Sequence, residues 1–416
     1  MTVNKNSVWL ALIVILQLDC FFLVDGDKWH TGDVALILIA FFCIRTFTAR
    51  NRGTSSVGYS YGYMVLAPIL LAVISAVTAY MNYAQPFFLG FRAQRFWIAS
   101  MCIYFPLRYL IKSGRYQAEN LINTLDLVNA IYFAVVVLQY ILGDSAIFLH
   151  AQWNYRYGHI RLYVSNPFML ISFMWHLVAA LRSGRCTFRD LFFLCVQAFL
   201  VFFVTKSRMN MVALIAALFL ILLRQKLTVK KLLVLVIAFV AIIAFVFSPV
   251  GQDIYALVTG VGSTQDTSEI RRLSRQFYWL KLLSDWKNFV FGVGYPNQLW
   301  ERAVEACGYA SGFYVVDNGL MGQAFVYGLL GVIWMAWLQV KMIVQALRNK
   351  NDFALGYVVT GLLGFISLVP PCFAGNIAFP LVVALCESMM LRRPSEKKVT
   401  LEENNGEHIN HSCTLE

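Results

Sequence analysis

The chain reads as an all-α, polytopic integral membrane protein of about twelve transmembrane helices with one large extracytoplasmic loop. Of its 416 residues, 59% are hydrophobic and only 13% charged, where an ordinary soluble chain is roughly 45–50% apolar. Mean hydropathy is +0.64. A helical span takes ~20 residues, so twelve would take about 240, close to all the hydrophobic residues present. That excludes disorder, a fibre and a large soluble enzyme domain. The net charge of +12 would suggest nucleic acid in a soluble chain. Here it reflects topology and an anionic substrate, and no nucleic-acid partner is expected.

Twelve apolar runs fall at 8–24, 34–49, 63–83, 96–112, 121–142, 167–182, 190–204, 208–223, 232–250, 319–345, 353–370 and 374–391. The first is a span rather than a cleavable signal, because no small-residue cleavage site follows it. Asp19 directly before Cys20 argues against a lipoprotein site there. The seventh and eighth runs are short and meet in a tight hairpin at Thr205-Lys206-Ser207-Arg208. The eleventh ends at Pro370-Pro371, which cannot continue a helix. Residues 1–391 thus form one membrane domain, and 392–416 a polar, disordered cytoplasmic tail. Most of the nine cysteines sit in or beside apolar runs, which is packing and not a disulfide framework. Cys307 and Cys372 would both face outward, and a bond between them stays open.

Charge sets the orientation. With the N-terminus inside, the inner segments carry 20 Lys and Arg and the short outer loops 7, which places both termini in the cytoplasm. Residues 251–318 then form an outer segment of 68 residues, far longer than any other loop. A loop of that length is usually functional.

Within it, 268–287 has helical periodicity, with Ile270, Leu273, Phe277, Leu280 and Leu283 on one stripe. Asp266 or Thr267 would cap it. Arg271 and Arg275 share a face, and Arg272 lies beside them. Such a helix could lie on lipid headgroups. Alternatively, its guanidinium forks match the oxygens of a diphosphate. Two further arginines favour the second reading: Arg208, at the outer end of the eighth span, and Arg161, just before the sixth in Arg161-Leu-Tyr-Val-Ser-Asn166-Pro167. Asp317-Asn318-Gly319 stands at the mouth of the tenth span. Asp317 either caps that helix or orients and deprotonates an incoming hydroxyl. Asp19, Asp126 and Glu387 lie near span ends, where solvated or paired carboxylates are expected. No His/Cys/Asp/Glu cluster has metal-ligand spacing, His159 reads as plain surface, and no nucleotide or hydrolase fingerprint is present.

Four local patterns resemble the O-antigen ligase and polymerase superfamily. "TKSRMNMVALIAALFLILL" is similar to its Ser-Arg step, with Arg208 as the arginine. "RQFYWLKLLSDWKNFVFGVGY" resembles its arginine helix and Gly-x-Gly stretch, through Arg275, Gly292 and Gly294. "RLYVSNPFMLISF" is similar to its arginine and Asn-Pro entry, through Arg161, Asn166 and Pro167. "DNGLMGQAFVYGLLG" resembles its closing motif, through Asn318, Gly328 and Gly331. The resemblance covers roughly residues 155–335. Ligases of the family place histidine before that asparagine. The Asp317 here resembles the polymerases instead.

The resemblance implies a GT-C-like fold in the bacterial inner membrane and a glycosyltransferase that needs no metal or cofactor. The substrate would be a glycan on undecaprenyl pyrophosphate. Asp317, Arg208 and Arg275 would be catalytic; Arg161, Arg271, Arg272, Asn318 and Asn166 would bind substrate. A chain-length regulator and a flippase are the implied partners. The reading is a polysaccharide polymerase making O-antigen, capsule or exopolysaccharide. Its alternatives are a ligase delivering glycan to lipid A–core or protein, and a secondary transporter or lipid flippase.

Overall fold

The structure, a computed structural model, describes residues 4–48, 58–156, 159–224, 265–364 and 369–389. It is 76% helical. The predicted ninth span and residues 251–264 lie outside the described residues. So do the tail and the side chains of Asp266 and Thr267, which sit inside a helix that already begins at Gln265 and so do not precede it as caps.

Thr31–Thr48, Gly62–Tyr83, Ala118–Leu142 and Val315–Arg348 are long and apolar enough to cross a membrane. Other described helices among the predicted runs are shorter, three of them for a local reason. The first ends as a helix at Gln17. Beyond it Asp19, Cys20, Phe21 and Phe22 all take positive φ. Asp19 accepts a 2.5 Å hydrogen bond from Thr31 Oγ1, tying that turn to the next helix. The fourth is divided into Arg95–Cys102 and Tyr104–Lys112. Pro106 has no N–H to donate to the Cys102 carbonyl. The seventh runs as Phe188–Phe199 and then widens into a π turn over Leu200–Val204.

Apolar stripes face outward along the long helices. Ile37, Phe41 and Ile44 are 56–61% exposed, and Ile333, Trp337 and Val340 form a similar stripe on the last long helix. Helices of a water-soluble bundle turn such stripes inward. Here they meet what surrounds the protein, as lipid-facing residues do.

The bundle has two distinct ends. At one, Arg182 donates to the Lys350 carbonyl at 2.6 Å, and Arg182 and Arg224 both reach Asp352. Arg108 pairs with Glu387, which also accepts from Ser60 N and Tyr104 Oη. These segments are the ones the charge rule groups together. The helices Pro167–Ser183 and Arg208–Arg224 therefore begin at the opposite end, as does Gly319–Arg348. Asn166, Arg208 and Asn318 all sit at those starts.

The helix Gly319–Arg348 is broken at Gly328, whose φ of 63° and ψ of −162° are not helical. The break frees the carbonyls of Phe325 and Val326. They accept hydrogen bonds from Val293 N at 2.7 Å and Gly294 N at 3.2 Å. The loop segment is thus stitched, main chain to main chain, onto the membrane helix. Gly294 also lies against Ala79 and Ser75, where a Cβ would strike backbone. The glycines of the Gly-x-Gly stretch and Gly328 are therefore explained by one close crossing.

A two-stranded antiparallel hairpin, β1 (Trp153–Arg156) and β2 (His159–Leu162), precedes the sixth predicted span. The all-α expectation misses it. Its signal is the alternation in Trp153-Asn-Tyr-Arg and His159-Ile-Arg-Leu around a glycine.

Candidate functional site

The arginine helix, Gln265–Leu283, packs by Ser274, Tyr278 and Leu282, which are 1%, 0% and 3% exposed. Ile270, Leu273, Leu280 and Leu283 are exposed and Phe277 half-buried, so the apolar stripe is not the packed face. Hydrogen bonding decides the choice. Ser274 Oγ lies 2.9 Å from Asn318 Oδ1, and Tyr278 Oη donates to the Phe313 carbonyl at 3.0 Å. At about 100° per residue, Arg271 lies in line with this packed face one turn before Ser274, Arg275 borders it, and both lie away from the stripe.

Asn318 is 1% exposed. Its Nδ2 donates to the Tyr314 carbonyl at 2.8 Å while Oδ1 meets Ser274. Both halves of the amide are engaged, and no side-chain cap bond forms at the helix start. Asp317 does not cap the helix either. It lies in the 3-10 turn Val315–Asn318 with its side chain exposed, and among the described residues no hydrogen bond or ion pair holds its carboxylate. Gly319, with φ 53° and ψ −125°, swings the chain from that turn into the helix. The Asn318–Ser274 bond therefore fixes Asp317 beside the helix that carries Arg271 and Arg275. Burial pushes the Tyr278 hydroxyl above its ordinary range, with the Cys307 thiol and the Asp317 carboxylate adding to the effect. Arg271 and Arg272 are exposed, and Arg272 reaches Glu269 at 3.9 Å with both side chains in solvent. Such a contact contributes ~0–1 kcal/mol.

Arg161 is held on the hairpin. Its Nε donates to the Thr205 carbonyl at 2.7 Å, its Nη1 to Tyr163 Oη at 2.9 Å, and its guanidinium lies 4.2 Å over the Tyr163 ring. Lys206, buried and at φ 47°, donates to the Ile160 carbonyl at 3.1 Å. The hairpin is thus sewn to the turn before Arg208, the first residue of its helix. The Arg208 side chain lies outside the described residues. Asn166 accepts from Phe168 N and Met169 N and donates to Asn129, so its amide caps the helix and ties two helices together. Arg161, Asn166, Thr205, Asn210 and Asn376 line a cavity of about 440 Å³. A second cavity, of about 360 Å³, is lined by Val315 and Val316, directly before Asp317. The two share Val369 and Ala374 as a common wall.

The site residues therefore fall into two groups on one end of the bundle. Arg161, Asn166 and the start of the Arg208 helix form one; Arg271, Arg275, Asp317 and Asn318 form the other. The intervening wall, 369–376, carries no sequence signal beyond its prolines.

The buried acids elsewhere are paired. Asp126 accepts from His176 Nε2 at 2.8 Å and from Arg189 at 2.5 Å, and His176 Nδ1 lies 2.7 Å from Asp190. Asp190 in turn closes a capping box with Thr187. This cluster belongs to the Arg182 end. Cys307 and Cys372 are both buried and unbonded, so the disulfide left open by the sequence does not form. Among the described residues no group of three His, Cys, Asp or Glu could hold a metal ion.

No protein-family model matches the chain, and no curated protein sequence does. What fold and surface establish is the class: a mostly helical protein with four helices fit to span a membrane.

Proposed function

We propose that the chain is a polysaccharide polymerase that joins undecaprenyl-pyrophosphate-linked repeat units at the outer face of a bacterial inner membrane. The observation that carries this reading is the 2.9 Å contact between Ser274 and Asn318. It sets an exposed carboxylate, Asp317, against a helix bearing two arginines one turn apart. A lipid-bed helix alone has no need of that carboxylate. The exposed apolar stripe of the same helix suits the membrane surface, and holds the arginines at the depth of a lipid's phosphates.

In this reading the acceptor sugar's hydroxyl attacks the anomeric carbon of the donor glycan. The bond from that carbon to the pyrophosphate oxygen breaks, and the pyrophosphate leaves with the electron pair. Arg161, Arg208 and Arg275, with Arg271 and Arg272 nearby, stabilise the charge that gathers on it. Asp317 orients the hydroxyl and takes its proton. The Arg182–Asp352–Arg224 end faces the cytoplasm, and a flippase and a chain-length regulator are the expected partners.

The test is reconstitution in liposomes with a synthetic undecaprenyl-pyrophosphate repeat unit, followed by sizing of the product. A ladder of repeats is expected. Transfer only to an added lipid A–core acceptor would make the chain a ligase. Movement of the lipid or its glycan across the bilayer with no new glycosidic bond would make it a transporter. Unchanged substrate rejects the polymerase.

A further inference from the structure

The second cavity is walled by six aromatic side chains: Phe96, Trp97, Tyr295, Tyr309, Tyr327 and Phe373. Trp97, Tyr327 and Phe373 stack closely, with ring centroids 5.0–5.3 Å apart. Two glutamines complete the lining, and they differ. Gln94 is fully engaged: its Nε2 donates to the Ala72 and Gly90 carbonyls, and its Oε1 accepts from Tyr327 Oη at 2.9 Å. Gln323 is only 7% exposed, lines the same cavity and makes no hydrogen bond among the described residues. The Gln323 amide atoms are not among the enclosed polar atoms that lack a partner, so the amide opens into the cavity, where a ligand's polar groups can reach it.

We infer that this cavity is a sugar subsite, with Gln323 as the hydrogen-bonding group that reads a hydroxyl. A carboxamide offers two donors and an acceptor, as a hydroxyl requires. Aromatic faces suit the C–H faces of a pyranose. No charged side chain lines the cavity among the described residues, so it is not built for phosphate. A polyprenyl tail would leave Gln323 unsatisfied. The volume of about 360 Å³ falls within the range of small-ligand cavities, ~300–1,000 Å³. Val315 and Val316 belong to the wall, and Asp317 follows directly. Resting on the polymerase reading, the occupant is the acceptor sugar. Its hydroxyl emerges beside Asp317, on the side of Arg271 and Arg275, and the Arg161 cavity adjoins it across Val369 and Ala374.

The test uses the purified full chain and the repeat-unit oligosaccharide, cut from the cells' lipid-linked pool and capped as its methyl glycoside. It carries neither lipid nor phosphate. Binding is followed by saturation-transfer NMR and by its KM as acceptor in the reconstituted assay. Gln323→Leu removes no existing hydrogen bond, so the fold is retained; Val316→Trp plugs the cavity from a half-exposed position. The wild type is expected to bind saturably. Gln323→Leu should raise the dissociation constant and acceptor KM about tenfold with kcat for bound acceptor kept, and Val316→Trp should abolish binding. Binding unchanged in both variants, or absent from the wild type, overturns the subsite. Product sizing in the same preparations reports separately on the polymerase. Binding lost in the variants while the wild type makes no polymer leaves the subsite standing and removes the polymerase.

Discussion

Gly292 and Gly328 meet backbone to backbone: a Cβ built on Gly292 would lie 2.6 Å from Gly328 N. Gly328 sits at φ 63° and ψ −162°, and Gly292 at φ 82° and ψ 168°. Side chains are essentially barred from that region of backbone space.

Gly328→Ala and Gly292→Ala should therefore each destabilise the protein by about 3 kcal/mol or more, adding strain to collision. Thermal unfolding in detergent measures it. A midpoint within a degree or two of wild type for either variant would mean that the crossing is looser than described.

Ser274→Ala strips Asn318 Oδ1 of its donor, and Asn318→Ala removes both bonds of the amide. Each should cost about 1–3 kcal/mol. The double variant should cost less than the two together, because the residues share one contact. Strict additivity would show that the two side chains do not act through each other.

Arg161→Lys keeps a charge but loses the fork that spans the Thr205 carbonyl and Tyr163 Oη. Arg275→Lys does the same on the arginine helix. Both should reduce chain elongation about 100-fold at normal expression, and Asp317→Asn by a similar factor of about 100. Wild-type glycan lengths in the lysine variants would remove the arginines from the reaction. Undiminished polymerisation by the asparagine variant would show that the carboxylate is not needed.

Cys186 is exposed at the end that holds Arg182 and Asp352. If that end faces the cytoplasm, a membrane-impermeant maleimide should spare it in intact cells and label it in inverted vesicles. A cysteine placed at exposed Leu299 should behave in the opposite way. Labelling of Cys186 from outside reverses the orientation.

Burial pushes the Cys307 thiol up to about 12. A free thiol ionises near ~8.5, so at pH 8 Cys307 should stay unmodified in the native protein and react once it is denatured. Because the folded state holds the thiol neutral, this group's stabilisation is intact below pH ~8.5 and is lost as pH rises toward about 12. Native reactivity matching that of exposed Cys186 at pH 8 would contradict the burial.

Runs of apolar residues made most of the helices legible, because one physical property repeats over many positions. Interruptions were harder. Pro106 announces the split of the fourth run, whereas the break at Gly328 depends on N–H donors, at Val293 and Gly294, thirty-odd residues earlier in the chain. Periodicity located the arginine helix and its apolar stripe but not the face that packs, since it weighs Leu273 above Ser274 and cannot see that the serine has Asn318 waiting. Asp317 and Asn318 were visible as a pair, yet their different fates, one exposed and one clamped, follow from neighbours in space. Gln323 gave no signal, because an unpartnered amide is recognisable only among the groups that fail to reach it.

The stitching at Val293 and Gly294 is made of amide and carbonyl atoms that every amino acid shares. Side chains along the loop can drift without disturbing it, so long as the three glycines remain. Two chains with this joint could thus diverge past ordinary detection while keeping the same architecture at the membrane's edge.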